Sequence, residues 1–276
     1  MLVMNAILPN LNSLMKPKKI LLPKLICLII TLIFANCQQQ QKETNQTTES
    51  DTSTESATSA SPVDNTLTAG EKEQGWKLLF DGQTTAGWRN FKSTGIGPAW
   101  KVEDGTLTLV TGGDEKGGDI ITDQTYENFE LSLEWKIAEG GNSGIIYHVL
   151  EEEQYDRVWQ TGPEMQILDD DGHPDGKIVK HRAGDLYDLI ECEVVTVNPP
   201  GEWNKIRLIS DNGRVEHWQN GRKVVEFNMD DPSWQTLIAG SKFKDMPGFG
   251  TSKKGYISLQ DHGDRVWFKN IKIRQL

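Results

Sequence analysis

Residues 70–276 alternate apolar and polar side chains with a period of two almost throughout, and this pattern restricts the fold to one built from β-strands. In the clearest stretch, 129–137, Phe, Leu, Leu, Trp and Ile alternate with Glu, Ser, Glu and Lys. Successive side chains of a strand point to opposite faces, so one face of this stretch is expected in the core. Further strands are predicted at 77–80, 100–102, 106–110, 144–149, 164–168, 203–209, 214–219, 222–227, 256–260 and 266–274.

Turn sequences separate the predicted strands. Asn220-Gly221 lies between two of them and predicts a type I′ hairpin, because both residues tolerate positive φ. In the last strand the apolar positions change face between Phe268 and Ile271, so a β-bulge is predicted near Asn270. Many short strands joined by such turns are typical of a two-sheet antiparallel sandwich, and this part of the chain has the length of one all-β domain.

The first 36 residues predict a bacterial lipoprotein signal peptide. Four lysines precede an apolar run at 25–35, which is too short to span a bilayer stably, and Cys37 follows shortly after it. We therefore expect lipid on Cys37 and a protein anchored in the cell envelope, in the periplasm or at the outer-membrane surface. Residues 37–69 are rich in Gln, Thr, Ser and Glu, and they predict a disordered tether ahead of the domain at 70–276.

The charge of the chain excludes one class of partner. The formal charge of the whole chain is −11, and it becomes −15 once the four lysines of residues 1–36 are removed. The tether holds five acidic residues and one lysine, which leaves −11 on the domain. Such a domain repels nucleic acid and anionic lipid headgroups, so contact with the membrane is expected only through the N-terminal lipid. Cys192 is the only thiol of the domain and is interpreted as a small buried apolar residue.

The predicted strand at 164–168 has one polar face. Strand alternation places Glu164 and Gln166 on that face, while Met165 and Ile167 take the other. Solvent-facing strand positions usually carry a loose mix of Thr, Ser and Lys. A carboxylate and an amide two residues apart instead suggest a site for a polyol such as a sugar.

Three other segments combine polar side chains with strand or turn patterning. By alternation Gln260 and His262 share the face that carries Ser258, opposite Ile257 and Leu259. If this strand and 164–168 belong to one sheet, Gln166 and Gln260 line one concave surface. The remaining polar candidates are Asn142, Ser143 and Tyr147 in and before one strand, Tyr187 in a loop, and Asp169 after 164–168.

At these residues the sequence resembles the 3-keto-disaccharide hydrolase domain of bacterial lipoproteins. Nine blocks carry the resemblance in order: LLFDG with GW (78–82, 87–88), WKVEDGTL (100–107), NSGIIY (142–147), EMQILDD (164–170), GDLYD (184–188), PGEWNKIR (200–207), WQNG (218–221), GYISLQDHG (255–263) and VWFKNIKI (266–273). The resemblance implies a concanavalin-like or laminin-G-like jelly roll that acts on glycosides whose C3 hydroxyl has been oxidised to a ketone.

A ketone at C3 acidifies the proton on C2, so a base can remove this proton, the anomeric substituent can leave by elimination, and water can add back. The reaction needs a base with a pKa near neutral, donors for the enolate oxygen and an acid for the leaving group. His262 is the first candidate for base or acid, because histidine has the most suitable ordinary pKa. Glu164 and His217 follow. The groups predicted to bind or orient the substrate are Gln166, Gln260, Tyr147, Tyr187, Asn142, Ser143 and Asp169.

A metal is not expected to be essential, and no other cofactor is predicted. Glu164, Asp169, His181 and His262 are possible ligands, but no His-x-x-x-His or Cys pair is present, and Asp169-Asp170-Asp171-Gly172 lacks the later Glu of an EF-hand.

Two other functions remain open from the sequence. A retaining glycosidase of the laminarinase type needs two carboxyl groups about 5.5 Å apart, whereas Glu164 and Asp169 point to opposite faces of a regular strand and Gln166 stands between them. A non-catalytic carbohydrate-binding module has the same fold. In that case tryptophans in loop-like sequence are candidates to stack on sugar rings, and these are Trp88, Trp159 and Trp234.

Overall fold

The computed structural model describes residues 63–110 and 117–276, in which two antiparallel sheets pack against each other. The predicted signal peptide, Cys37 and most of the predicted tether lie outside the described residues. The helices are α1 (Ala69–Glu73) and α2 (Pro232–Ala239). The strands are β1 (Lys77–Leu78), β2 (Trp88–Asn90), β3 (Trp100–Glu103), β4 (Thr106–Leu109), β5 (Ile120–Thr122), β6 (Phe129–Ile137), β7 (Asn142–Val149), β8 (Glu164–Leu168), β9 (Asn204–Asp211), β10 (Arg214–Gln219), β11 (Arg222–Asn228), β12 (Tyr256–Leu259) and β13 (Val266–Gln275).

Within the described ranges, eight strands form one sheet and five form the other. The larger sheet runs β11-β10-β9-β6-β13-β4-β3, with β1 paired to β13. The smaller sheet runs β2-β5-β12-β7-β8. Every pairing is antiparallel. Some neighbours are consecutive strands, such as β10 and β11, whereas others come from distant parts of the chain, such as β6 and β13. The chain is an all-β, concanavalin-like jelly-roll sandwich, as the resemblance implied.

The main core lies between the two sheets. The alternation in β6 is confirmed, because its five apolar side chains are buried in this core. Glu130 projects to the other face, where its carboxylate accepts from Arg207 Nε at 2.6 Å and from Arg274 Nη2 at 2.6 Å. The smaller sheet contributes residues such as Ile145, Met165 and Leu259 to the same core. Burying each large apolar side chain contributes about 1.5–3 kcal/mol, and this sets the register of both sheets.

The predicted bulge in β13 is present. The register with β6 shifts between Lys269 and Lys272, and Asn270 has a φ of 54°. The bulge returns Ile271 and Ile273 to the core side. It also holds the segment ahead of α1, because Asn270 N donates to Asn65 Oδ1 at 2.8 Å.

The boundary predicted between tether and domain at residue 69 is wrong. Asn65 is buried, and its side-chain nitrogen donates to the Gly105 carbonyl at 2.8 Å. Thr68 caps α1 in a reciprocal capping box with Glu71. Residues 63–69 therefore belong to the folded domain. Their polar composition predicted disorder, but they are held by hydrogen bonds and a cap rather than by apolar burial.

Other local predictions have mixed outcomes. The hairpin at Asn220-Gly221 is confirmed, with φ values of 47° and 81° and with β10 and β11 paired on either side. The sequence did not predict β2 or β5, because each is a three-residue strand without a full alternation. It also did not predict α2. In the part of the chain that the structure describes, no helix is long and apolar enough to cross a membrane.

Candidate active site

A cleft of about 280 Å³ lies over the face of the smaller sheet that points away from the larger sheet. This face carries the polar side of β8, because Met165 and Ile167 of the same strand are buried in the main core. The residues lining the cleft are Asn142, Trp159, Glu164, Gln166, Tyr187, Lys242, Met246, Gln260 and His262.

The prediction that Glu164 and Gln166 share a face with Gln260 is confirmed, since all three line this cleft. β7 lies between β8 and β12 and joins them. The backbone N–H of Gln260 donates to the Gly144 carbonyl at 3.0 Å, and Ser143 Oγ donates to the backbone carbonyl of Gln260 at 2.8 Å. Gly144 is required beside Glu164. A Cβ at this position would lie 2.0 Å from Glu164 Oε1, so any side chain there displaces the carboxyl group.

The Glu164 carboxyl group is buried at the floor of the cleft. Its partner on the same strand face is Gln166, whose amide nitrogen lies 3.0 Å from Glu164 Oε1 and 3.0 Å from the Ser143 carbonyl when the amide is oriented to face acceptors. Burial raises the pKa of Glu164 to about 8, and the nearby Lys242 opposes this rise. The group therefore exchanges a proton close to neutral pH.

Lys242 is a cleft residue that the sequence did not single out. Lys242 is exposed as a whole residue, but its Nζ atom lies 3.9 Å from the centre of the Tyr187 ring. Partial burial of the ammonium group lowers the pKa of Lys242, while Glu164 and Asp188 act in the opposite direction. No motif marks this lysine, because it follows α2 and reaches the cleft only through the tertiary fold.

The segment around Tyr187 forms the edge of the cleft beside β8. Tyr187 N donates to the Glu164 carbonyl at 3.0 Å, and Gly184 N donates to the Gln166 carbonyl at 2.9 Å. The Tyr187 hydroxyl donates to Asp175 Oδ2 at 3.2 Å, and burial raises the pKa of the phenol. Tyr187 therefore remains protonated and serves as a rigid wall of the cleft.

Tyr147, predicted as a substrate contact, and His217, predicted as a catalytic base, lie in the main core and not in the cleft. Both side chains are fully buried, and neither lines the cleft. His217 Nδ1 lies 3.2 Å from the Gly184 carbonyl, which can only accept, so Nδ1 carries the proton and Nε2 accepts from the Tyr147 hydroxyl at 2.9 Å. Burial lowers the pKa of His217 to about 4, so the imidazole is neutral near pH 7. The pair satisfies its own polar atoms inside the sandwich.

Removing this internal hydrogen bond tests its structural role. Tyr147→Phe leaves His217 Nε2 buried without a donor, and we expect a loss of about 1–3 kcal/mol in the free energy of unfolding. Chemical denaturation measures it. The folded fraction should keep its substrate KM, since Tyr147 does not reach the cleft. A raised KM with unchanged stability would contradict this assignment.

Two further candidates, Asp169 and Ser143, form hydrogen bonds with the backbone instead of lining the cleft. Asp169 Oδ2 accepts from Gly140 N at 2.7 Å, and Asp169 Oδ1 accepts from Gly172 N at 3.0 Å. The side chains of Ser143 and Ser258 are buried, and that of Ser258 does not line the cleft as alternation had suggested. Asp169 borders a separate depression, so the structure does not bring it together with Glu164 as a carboxyl pair.

Of the three tryptophans considered for stacking on sugar rings, one lines the cleft and two are buried. Trp159 lines the cleft. Trp88 is buried and donates from Nε1 to the Leu79 carbonyl at 2.6 Å, and Trp234 is buried on α2 against Phe227. The two buried residues are packing groups, and only Trp159 is placed to stack on a ring.

Fold and cleft together define a β-sandwich protein with a sugar-sized polar cleft that contains one buried, proton-exchanging carboxyl group. Residues 75–274 match the model of the 3-keto-alpha-glucoside-1,2-lyase-like domain. The chain therefore belongs to this family. It is the same family, that of the 3-keto-disaccharide hydrolase domain, that the sequence motifs resemble.

Individual relatives agree with this membership. The chain is 33% identical to the 3-keto-disaccharide hydrolase of Bacteroides thetaiotaomicron, over 94% of this chain and 99% of that protein. Two crystal structures from Parabacteroides distasonis, both described as candidate glycosyl hydrolases, are similar to it. The first is 38% identical with a TM-score of 0.71 and covers 78% of this chain and 100% of its own. The second is 31% identical with a TM-score of 0.55 and covers 73% and 99%.

Proposed function

We propose that this protein hydrolyses glycosidic bonds of 3-keto glycosides, by elimination across C1 and C2 followed by addition of water. The observation that carries the proposal is Glu164, a buried carboxyl group whose pKa is raised to about 8, in a cleft of sugar size. A base with this pKa suits removal of the proton that the C3 ketone acidifies. The activity named for the Bacteroides thetaiotaomicron relative supports the same substrate class.

The cleft supplies a group for each step. Ionised Glu164 accepts the C2 proton, and the electron pair of the C2–H bond moves onto the ketone oxygen as the enolate forms. The enolate then expels the anomeric oxygen, which receives a proton from the Lys242 ammonium. Water then adds to the unsaturated ketone at C1 and gives a proton to neutral Lys242, while protonated Glu164 gives a proton to C2, so both groups return to their starting states and the net change is hydrolysis. Amide groups of Gln166, Gln260 and Asn142 and the ring of Trp159 hold the sugar.

Elimination is favoured over direct displacement by the residues that stand near Glu164. A retaining glycosidase needs a second carboxyl group on the other side of the bond. Glu164 carries the one carboxyl group among the residues that line this cleft. The neighbouring side chain on the same face of the strand is the amide of Gln166. An amide binds hydroxyls but cannot act as a nucleophile or take up a proton.

The substrate class is tested by comparing one glycoside with its 3-keto form. Purified protein is incubated with each compound, and the products are identified by mass spectrometry. We expect cleavage of the 3-keto glycoside and an intact parent glycoside. Equal cleavage of the parent glycoside and its 3-keto form would contradict the elimination mechanism. Absence of cleavage across a panel of 3-keto disaccharides and their parent glycosides would favour a binding module.

We further propose that Cys37 carries lipid and anchors the protein in the cell envelope, on the basis of the lysines and the apolar run that precede it. Cys37→Ala should abolish incorporation of labelled palmitate and shift the protein from the detergent phase to the aqueous phase on Triton X-114 partitioning. Cys192→Ala is the matched control and should partition as the wild type. Unchanged labelling of the Cys37 variant would contradict the anchor.

A further inference from the structure

Two histidines and an aspartate converge at the rim of the cleft. His173, His262 and Asp264 each offer one ligand atom, and these atoms all lie within 4.8 Å of one another. The imidazole rings of His173 and His262 meet edge to face, with their centroids 6.0 Å apart. His262 also lines the cleft. The cluster therefore borders the space proposed for the substrate.

The segment that supplies His262 and Asp264 is held by hydrogen bonds. Gly263 has a φ of 89°, so the turn brings His262 and Asp264 to the same region. Asp261 Oδ1 accepts from Gly263 N at 2.9 Å and fixes this turn. Asp264 Oδ2 accepts from Asn142 N at 3.0 Å, which leaves the other carboxylate oxygen, Oδ1, for a ligand. A fixed turn and an oriented carboxylate are typical of a preformed site.

The donor set is typical of a divalent transition metal. Two imidazole nitrogens and one carboxylate oxygen suit Zn²⁺, Fe²⁺, Mn²⁺ or Co²⁺, and three protein ligands leave positions open for a further ligand. The carboxylate supplies one negative charge. Sequence spacing did not reveal this set, because His173 lies 89 residues before His262 in the chain.

We propose that His173, His262 and Asp264 bind one divalent transition-metal ion, whose open positions take the ketone oxygen and the neighbouring hydroxyl of the substrate. An α-hydroxyketone offers two oxygens at chelating distance, which an unoxidised glycoside does not offer in the same form. The ion stabilises the negative charge that appears on the ketone oxygen when Glu164 removes the C2 proton. This second part rests on the proposed function, whereas metal binding itself does not.

One hydrogen bond changes when the ion binds. His173 Nδ1 accepts from Asp175 N at 3.2 Å, so in the neutral ring the proton resides on Nε2. Coordination through Nδ1 takes the lone pair that accepts this bond, and coordination through Nε2 moves the proton to Nδ1, so the bond to Asp175 N is lost in either case. Metal binding therefore removes one long hydrogen bond, the bond from Asp175 N to His173 Nδ1, from this short turn. This loss predicts that the turn beginning at Pro174 becomes more mobile in the metal-loaded protein.

Cobalt is the probe that tests the site, because Co²⁺ bound to imidazole and carboxylate has visible absorption bands. The full-length chain is treated with chelator, freed of it and titrated with Co²⁺ by visible spectroscopy and calorimetry. We expect one ion per chain, and we expect His173→Ala and Asp264→Asn each to weaken binding by at least about 100-fold. His181→Ala is the matched control, a buried histidine paired with Asp188 outside the cluster, and it should bind as the wild type.

The outcomes separate metal binding from the proposed function. Wild-type protein without a Co²⁺ spectrum, or with a spectrum that folded His173→Ala and Asp264→Asn variants keep, overturns the site. Far-ultraviolet circular dichroism establishes that each variant is folded. Cobalt binding without turnover of any 3-keto glycoside leaves the site standing and removes the proposed function. Full turnover by chelator-treated protein removes the role of the ion in catalysis while the proposed function stands.

Discussion

Glu164→Gln is expected to lower kcat on a 3-keto glycoside by about 10²–10⁴-fold, because glutamine keeps the size of the side chain but cannot accept the C2 proton. The KM should change little, since the amide still fits beside Gln166 and Gly144. Steady-state kinetics on purified protein measures both parameters. Unaltered kcat in the variant would remove Glu164 from the chemistry.

Asp169→Asn provides the matched carboxylate control. Asp169 accepts backbone hydrogen bonds and lies outside the cleft, so its replacement should cost about 1 kcal/mol of stability and leave kcat of the folded protein unchanged. A two-carboxylate glycosidase would lose activity with either variant. Parallel losses in both proteins would therefore support the laminarinase mechanism.

The same Glu164→Gln variant reports on folding. The pKa of Glu164 is about 8 in the folded state against an ordinary value of 4.5, so burial favours the neutral carboxyl group. Its contribution to stability is fully present below about pH 4.5 and is lost as the pH rises through about 8. The variant should gain stability relative to the wild type over this window.

Lys242→Met is expected to lower kcat by about 10²-fold and to move the pH–rate profile to higher pH. Ionised Glu164 is the active form, so the wild-type rate should rise with pH through about 8. The Lys242 ammonium lowers the pKa of Glu164, and its removal allows that pKa to rise further. Methionine keeps the apolar stem of the lysine and deletes only the charge.

Lys244→Met controls for the general loss of one surface charge. Lys244 is exposed, two residues along the same segment, and does not line the cleft. Its variant should keep both kcat and the midpoint of the profile. A Lys242 variant whose midpoint stays fixed or moves to lower pH would show that this ammonium group does not act on Glu164.

Strand alternation predicted the parts of the fold that bury one face. The bounds of β6, β8 and β10 agree with their predicted ranges, because each side chain on one face enters the core and a shift of one residue would reverse the pattern. The short strands β2 and β5 were missed, since three residues hold too little alternation to stand out.

The candidate site could be predicted only where it lies on strands. Alternation placed Glu164, Gln166 and Gln260 on one face without knowledge of the structure. The same reasoning could not tell a cleft histidine from a core histidine, so His217 was chosen for its ordinary pKa although it is buried against Tyr147. Lys242 comes from the irregular segment after α2, where no periodicity fixes the direction of a side chain.

Transfer of deuterium from solvent tests elimination and rehydration most directly. The protein converts a 3-keto glycoside in D₂O over a short incubation, and nuclear magnetic resonance or mass spectrometry measures deuterium at C2 of the released 3-keto sugar. A parallel sample without protein corrects for spontaneous exchange. We predict one deuterium at C2 in every molecule of product formed by the protein. Water must enter the cleft to reach C1, so the proton on Glu164 exchanges with solvent before C2 is reprotonated. Product that retains its original C2 hydrogen would therefore contradict elimination followed by rehydration and indicate direct displacement at C1.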